Sequence, residues 1–162
     1  MNQTNETSRD IPGVIAPPPL IYLAGLALGL IVRRRWPHPL VPDSLRPLRW
    51  ALGAGLMLGG LVLIGWAVRT MYLAGTHPEP NKPVTALVTE GPFRLSRNPI
   101  YLGFTVAYLG LALLLDALWS LLLLPAVLAV MVRGVIAREE AYLERRFDER
   151  YRAYRARVRR WI

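Results

Sequence analysis

The stretch E-G-P-F-R-L-S-R-N-P-I-Y-L-G at 90–103 holds the first residues whose types and order point to chemistry. Asn98 is a natural N-cap and Pro99 a natural first helical residue, since proline lacks the N–H that a first turn leaves unpaired. A helix beginning there presents free backbone N–H groups and the positive end of its dipole, with Arg94 and Arg97 beside it. Such an end binds a carboxylate or phosphate. Plain capping, with the arginines reaching outward, is the blander use of the same residues. Farther along, an apolar line from Ile136 to Leu143 passes through Glu140, next to Glu139. A carboxylate on a buried helix face is costly unless paired, and its neighbour four residues on, Glu144, repels it. A solvated helix start is the ordinary alternative for Glu139 and Glu140. An anion-binding helix start opposite a carboxylate pair suits a zwitterion, such as an amino-acid head group. With no cysteine and only His38 and His77, the chain cannot build a disulfide, a zinc–thiolate or iron–sulfur centre, a thiol nucleophile or a multi-histidine metal site. No metal and no general base is assigned.

The elements that must position these groups are apolar. The 162 residues are 53% hydrophobic and only 19% charged, with 20 Lys+Arg against 11 Asp+Glu and a net charge of +9. The charges are segregated: 11–32, 50–68 and 99–132 contain one among them, Asp116. That pattern excludes an ordinary water-soluble globule and a disordered basic tail on nucleic acid, so no nucleic-acid partner is expected. It predicts an all-α, polytopic membrane bundle of about four transmembrane helices. The spans hold essentially no ionisable group, which disfavours a proton-coupled transporter.

The chain divides into a polar N-terminal tail at 1–18, two transmembrane helices with their connecting loop at 19–72, and a catalytic-type half at 73–162. The first span covers 19–32 and extends towards Arg35; the second covers 50–68, bracketed by Arg49 and Arg69. Each carries a G-x-x-x-G pair, Gly25 with Gly29 and Gly55 with Gly59, which predicts packing of the two helices on each other. The same glycine faces offer a route to a homodimer. The block 99–132 splits at Asp116 into a tight helical hairpin, and Pro125 should kink its return arm. The loop 73–89 contains Pro78, Pro80 and Pro83 and is expected to be extended. The loop 33–49 carries five Lys+Arg and the other side fifteen, which places both termini in the cytoplasm, of a prokaryotic inner membrane. The segment 137–162 is basic, with Ile136, Leu143, Phe147, Tyr151, Tyr154, Val158 and Trp161 at helical spacings. An amphipathic helix of this kind lies against anionic lipid headgroups or folds back over the bundle mouth.

Three motifs in order carry a resemblance: G-P-F-x-x-x-R-N-P-x-Y-x-G at 91–103, E-E-x-x-L-x-x-x-F at 139–147 and Y-x-x-Y-x-x-x-V-x-R-W at 151–161. Together, over about 74–161, they resemble the isoprenylcysteine carboxyl methyltransferase family, relatives of the phospholipid N-methyltransferases. The resemblance implies an integral-membrane enzyme using S-adenosyl-L-methionine. By position, the family's cofactor contacts fall on Thr85, Ala86, Leu87, Val88, Phe93, Asn98, Pro99, Ile100, Tyr101 and Glu139. Taken with the residue reading, the helix start with Arg97 would hold the methionyl carboxylate. A glutamate, Glu139 or Glu140, would hold the ammonium, and the apolar and aromatic side chains the adenosine. The eukaryotic enzymes acting on prenylated cysteine have His where this chain has Thr85 and Asn98, a departure that bears on the acceptor. The acceptor expected is a membrane lipid or small hydrophobic molecule bearing a carboxylate, amine or thiol. Two other readings are a membrane NADPH-dependent reductase of the sterol-reductase type and a non-enzymatic membrane subunit.

Overall fold

The computed structural model describes residues 11–79 and 82–162; the polar segment 1–10, and Pro80 and Asn81 within the proline loop, lie outside the described residues. Five α-helices and no strand occur among them: α1 (Pro18–Arg35), α2 (Arg46–Leu73), α3 (Pro99–Leu114), α4 (Leu118–Met131) and α5 (Ala137–Arg157). Short 3-10 turns at Asp43–Leu45 and Gly91–Arg94 precede α2 and α3, and a π-helical stretch, Val132–Ile136, joins α4 to α5. Among the described residues, two helical stretches are long and apolar enough to cross a membrane, Asp43–Leu73 and Leu118–Arg157, and Pro99–Leu114 is a shorter apolar helix.

Proline opens three helices, with Pro18, Pro47 and Pro99 in their first turns. The second helix runs well past the expected 50–68, because Arg49 and Arg69 do not stop it. Its end is set by Gly75, whose φ of +76° lets the Thr76 and Gly75 amides turn back onto the carbonyls of Met71 and Tyr72. The α3–α4 turn uses the same device with a residue that adopts it less readily. Asp116 sits at φ +54°, and the amides of Ala117 and Asp116 bond the Ala112 and Leu113 carbonyls. Asp116 keeps this place through its side chain. Its carboxylate receives the Leu40 amide at 3.0 Å and lies 3.4 Å from Arg33 and 3.3 Å from the buried Arg49.

The helices pair as α2 with α3 and α1 with α4. The expected packing of α1 on α2 through their two G-x-x-x-G pairs is therefore corrected. Gly25 and Gly29 do make a close contact, but on α4: added Cβ atoms would lie 2.3 Å from Val127 and 2.4 Å from the Ser120 amide. The Ser120 hydroxyl locks this contact by donating to the Leu26 carbonyl at 3.1 Å. Gly55 and Gly59 meet nothing within 4 Å. On α2 the packing face is Gly53 and Gly60, and Gly55 lies about 200° round the helix from Gly53. Opposite them are Gly103, Ala107 and Gly110 of α3, where a Cβ on Gly110 would stand 2.3 Å from the Met57 amide nitrogen. Glycines seven apart on both helices make one seam of backbone contact.

The continuous C-terminal helix expected over 137–162 is also corrected. It bends at Asp148 (φ 40°, ψ −117°) and ends at Arg157. Beyond it Val158 is extended and the last residues run back beneath α3. Tyr151 and Tyr154 are buried and Leu143, Phe147 and Val158 half-buried, so the aromatic stripe packs on the bundle. Pro125 lies inside α4, which continues through it to Met131.

Candidate functional site

One cleft lies where the α2–α3 connection, the start of α3 and the start of α5 meet, with an empty volume of about 830 Å³ including its open mouth. Of the twelve residues expected to contact a cofactor, eleven line it: Ala86, Leu87, Val88, Phe93, Arg97, Asn98, Pro99, Ile100, Tyr101, Glu139 and Glu140. Thr85 does not. Its amide bonds the Thr76 hydroxyl at 3.1 Å and its own hydroxyl donates to the Gly75 carbonyl at 2.7 Å. Thr85 therefore fastens the loop to the end of α2 and sets where Ala86 to Val88 fall.

The polar floor is built from α3 upward. Asn98 is at the N-cap position, but its side chain does not cap the helix. Its amide group donates instead to the Arg160 carbonyl at 3.1 Å, while its backbone N–H is taken by the Ser96 hydroxyl. The first-turn amides of Ile100 and Tyr101 are thus left without a cap from Asn98, at the positive end of a 16-residue helix. Arg97, one residue earlier, is almost enclosed and reaches Glu140 at 3.2 Å and the Tyr151 hydroxyl at 3.4 Å. Its buried Nε has no hydrogen-bond partner among the described residues. Arg94, expected to share this task, is exposed and pairs with Glu90.

The two glutamates have different surroundings. Glu140 is buried and held by two arginines, Arg97 and a forked contact from Arg160 at 3.0 and 2.7 Å. Its charge is committed to the protein. Glu139 has no cation among the described residues. It accepts from the Tyr101 hydroxyl at 2.5 Å, and its carboxyl is pushed up to about 7 by burial, with the neighbouring Glu140 charge adding and the Tyr101 hydrogen bond opposing. A carboxyl near 7 in a cleft is free to meet an ammonium or to carry a proton. The π-helical stretch helps to aim both side chains. It shifts the register between α4 and α5, and Gly134 within it lets Ile15 approach and donate its amide to the Gly134 carbonyl at 3.2 Å.

Several wall residues had no part in the sequence reading of the site. Tyr151 and Tyr154 rise from α5; the Tyr154 hydroxyl donates to the Phe93 carbonyl at 2.7 Å, and burial raises its pKa. Met71, His77 and Tyr142 also line the cleft. Above all, the returning C-terminus completes it. The Arg97 amide bonds the Arg159 carbonyl at 2.9 Å, and the Ser96 hydroxyl bonds the Arg160 carbonyl at 3.1 Å. The aromatic spacing and the unpaired Glu140 were the signals available; the missing piece was that the chain end brings Arg160 to it.

The sequence profile of the phospholipid methyltransferase family matches residues 48–150, from the first turn of α2 into α5. The chain belongs to the phospholipid methyltransferase family. Among curated proteins, protein-S-isoprenylcysteine O-methyltransferase of Schizosaccharomyces pombe is 40% identical over 72 residues, 44% of this chain and 30% of that protein. The cobalt-zinc-cadmium resistance protein CzcN of Cupriavidus metallidurans is 32% identical over 104 residues, 64% of this chain and 44% of that protein. The nickel-cobalt-cadmium resistance protein NccN of Alcaligenes xylosoxydans xylosoxydans is 28% identical over 98 residues, 60% and 43% respectively. The match spans less than half the length of each of these relatives. No solved structure matches the chain. The likeness to isoprenylcysteine methyltransferases read from the three motifs therefore stands, and all eleven of the expected residues that line the cleft fall within the family's matched stretch.

Proposed function

We propose that this member of the phospholipid methyltransferase family is a membrane-embedded methyltransferase that uses S-adenosyl-L-methionine and methylates a lipidic or small hydrophobic acceptor. One observation carries the reading: the cleft offers unspent donors for a carboxylate and an uncommitted carboxyl for an ammonium. The donors are the first-turn amides of α3 and the orphaned Nε of Arg97. The carboxyl is Glu139, held by a tyrosine and, among the described residues, by no cation. Leu87, Val88, Phe93 and Ile100 provide apolar wall for an adenosine. The residues present thus fit an amino-acid nucleoside, and the fit rests on this chain's own unpaired groups.

When bound, S-adenosylmethionine supplies a methyl group on a positively charged sulfur, an electrophile that needs no further activation. The protein's share is positioning and exclusion of water, which can supply much of the barrier reduction. Arg97 and the α3 amides fix the carboxylate end, and Glu139, ionised, fixes the ammonium. The Glu140 pair with Arg97 and Arg160 holds Arg97 in place while spending its charge internally. Thr85 and Tyr142 pin the proline loop, the latter by accepting the Val84 amide at 3.2 Å. A carboxylate acceptor requires no base, whereas an amine or thiol must first lose a proton.

In this reading four helices, α1 to α4, cross the bilayer, the cleft and both termini face the cytoplasm, and exposed arginines of α5 meet anionic headgroups. The Lys+Arg count of five against fifteen supports that orientation. The test is transfer of labelled methyl from S-adenosylmethionine to a membrane lipid extract by purified protein. Label entering the organic phase, and falling at least about tenfold with Glu139→Gln, is the expected result, since loss of one charged partner is worth about 1.4 kcal/mol or more. Absence of any transfer by folded protein would overturn it.

A further inference from the structure

The end of the bundle away from the cleft holds a second recess that methyl transfer does not use. α3 separates the two, running from Pro99 at the cleft to Leu114 at the recess, about 24 Å at 1.5 Å per residue. The recess has an empty volume of about 880 Å³, its open side included, and three arginines face it: Arg33 from the end of α1, and Arg46 and Arg49 from the first turn of α2. Arg46 and Arg49 are three residues apart and share a helix face. Against them stand two carboxylates, Asp116 and Asp43.

The charges are unevenly spent. Asp116 already takes Arg33, Arg49 and the Leu40 amide, and those two guanidiniums also donate to the carbonyls of Leu115 and Leu113, each at 2.5 Å. The Arg46 side chain makes no ion pair or hydrogen bond among the described residues, its backbone N–H alone bonding the Asp43 carbonyl. Three cations against two anions leave the recess with one net positive charge. That matches a phosphate diester, which carries one negative charge. Guanidinium forks match phosphate oxygens in geometry as well as charge. The remaining wall is apolar, with Trp50, Val41 and Leu114, and Trp50 is half-exposed. An arginine-floored recess with apolar walls and a half-exposed tryptophan at its edge is the setting of a headgroup rather than of bulk water.

We propose that this recess binds a phosphate group, supplied by a phospholipid lodged against the bundle end opposite the methyl-transfer cleft. The inference is independent of the proposed chemistry. The test uses the purified full chain, stripped of lipid in neutral detergent, and follows its thermal melting. Dioctanoyl phosphatidylglycerol is titrated in one arm, inorganic phosphate in a second and dioctanoylglycerol, which lacks the phosphate, in a third. The lipid phosphate should raise the melting temperature saturably. Arg46→Gln should weaken half-saturation about tenfold, whereas Arg35→Gln, exposed and outside the recess, should leave it unchanged. The Arg46 side chain holds nothing among the described residues, so the variant should melt with the parent when no ligand is present. If inorganic phosphate saturates as readily as the lipid, the site stands and its source is the free ion. No saturable shift, an equal shift with Arg46→Gln, or equal potency of dioctanoylglycerol would overturn the proposal.

Discussion

Glu139 and Glu140 are adjacent, yet their surroundings are opposite, and substitutions should separate them. Glu140 sits between Arg97 and Arg160 with its side chain 10% exposed. Removing it by Glu140→Ala leaves two guanidiniums uncompensated and should destabilise the protein by about 3 kcal/mol, read as a lower denaturation midpoint. Glu139→Gln should change stability differently, in a way that depends on pH. The carboxyl of Glu139 is pushed up to about 7 against an ordinary 4.5. Below the lower value both folded and unfolded chains hold the proton; between the two only the folded chain does. Stability therefore falls as pH rises through that window and levels off above it. Melting temperatures of Glu139→Gln should gain on the parent between pH 5 and pH 8, and parallel curves would contradict the assignment. Glu140 as a paired carboxylate was legible in the apolar line that runs through it. Its partners were not, because Arg97 and Arg160 meet only when a bent α5 and the chain's last residues return to α3.

At the scale of elements, the bundle is held by glycines chosen for a face rather than for a motif. Two G-x-x-x-G pairs stand out in the sequence, but only Gly25–Gly29 is in contact. The α2–α3 seam uses Gly53, Gly60, Gly103 and Gly110, whose seven-residue spacing draws less notice. Spacing within one helix cannot say which neighbour it meets, so the partner choice was hidden. Gly110→Leu would drive a side chain into the Met57 backbone and should cost at least about 3 kcal/mol, with loss of folded protein in size-exclusion profiles. Gly55→Leu, with nothing within 4 Å, should be tolerated. The hairpin turn makes a comparable point. Asp116 was recognised as the turn residue from its isolation in an apolar run. Asp116→Asn should retain the left-handed backbone but release buried Arg49, lowering the melting temperature despite the near-identical shape.

The whole molecule is a bundle with the candidate site at one end and an ionic clasp at the other. At the cleft end, three parts distant in sequence converge: the proline loop, the α3–α5 contact and the C-terminal return. Local patterns made the first two legible, since a helix start and a glutamate pair announce themselves within a few residues. The third depends on a bend at Asp148 that no proline or glycine marks. Deleting 158–162 removes the Arg159 and Arg160 contacts to Arg97, Ser96, Asn98 and Glu140, and should abolish ligand binding while leaving the helical signal in circular dichroism close to the parent's. The central claim is that the cleft holds an amino-acid nucleoside through Arg97, the α3 amides and Glu139. Calorimetric titration of S-adenosylmethionine into the detergent-purified chain, with NADPH as comparison and Glu139→Gln as variant, addresses it directly. Saturable binding of S-adenosylmethionine, weakened at least about tenfold in the variant and absent for NADPH, is the predicted result. Binding of NADPH instead, or of neither ligand by folded protein, would contradict it.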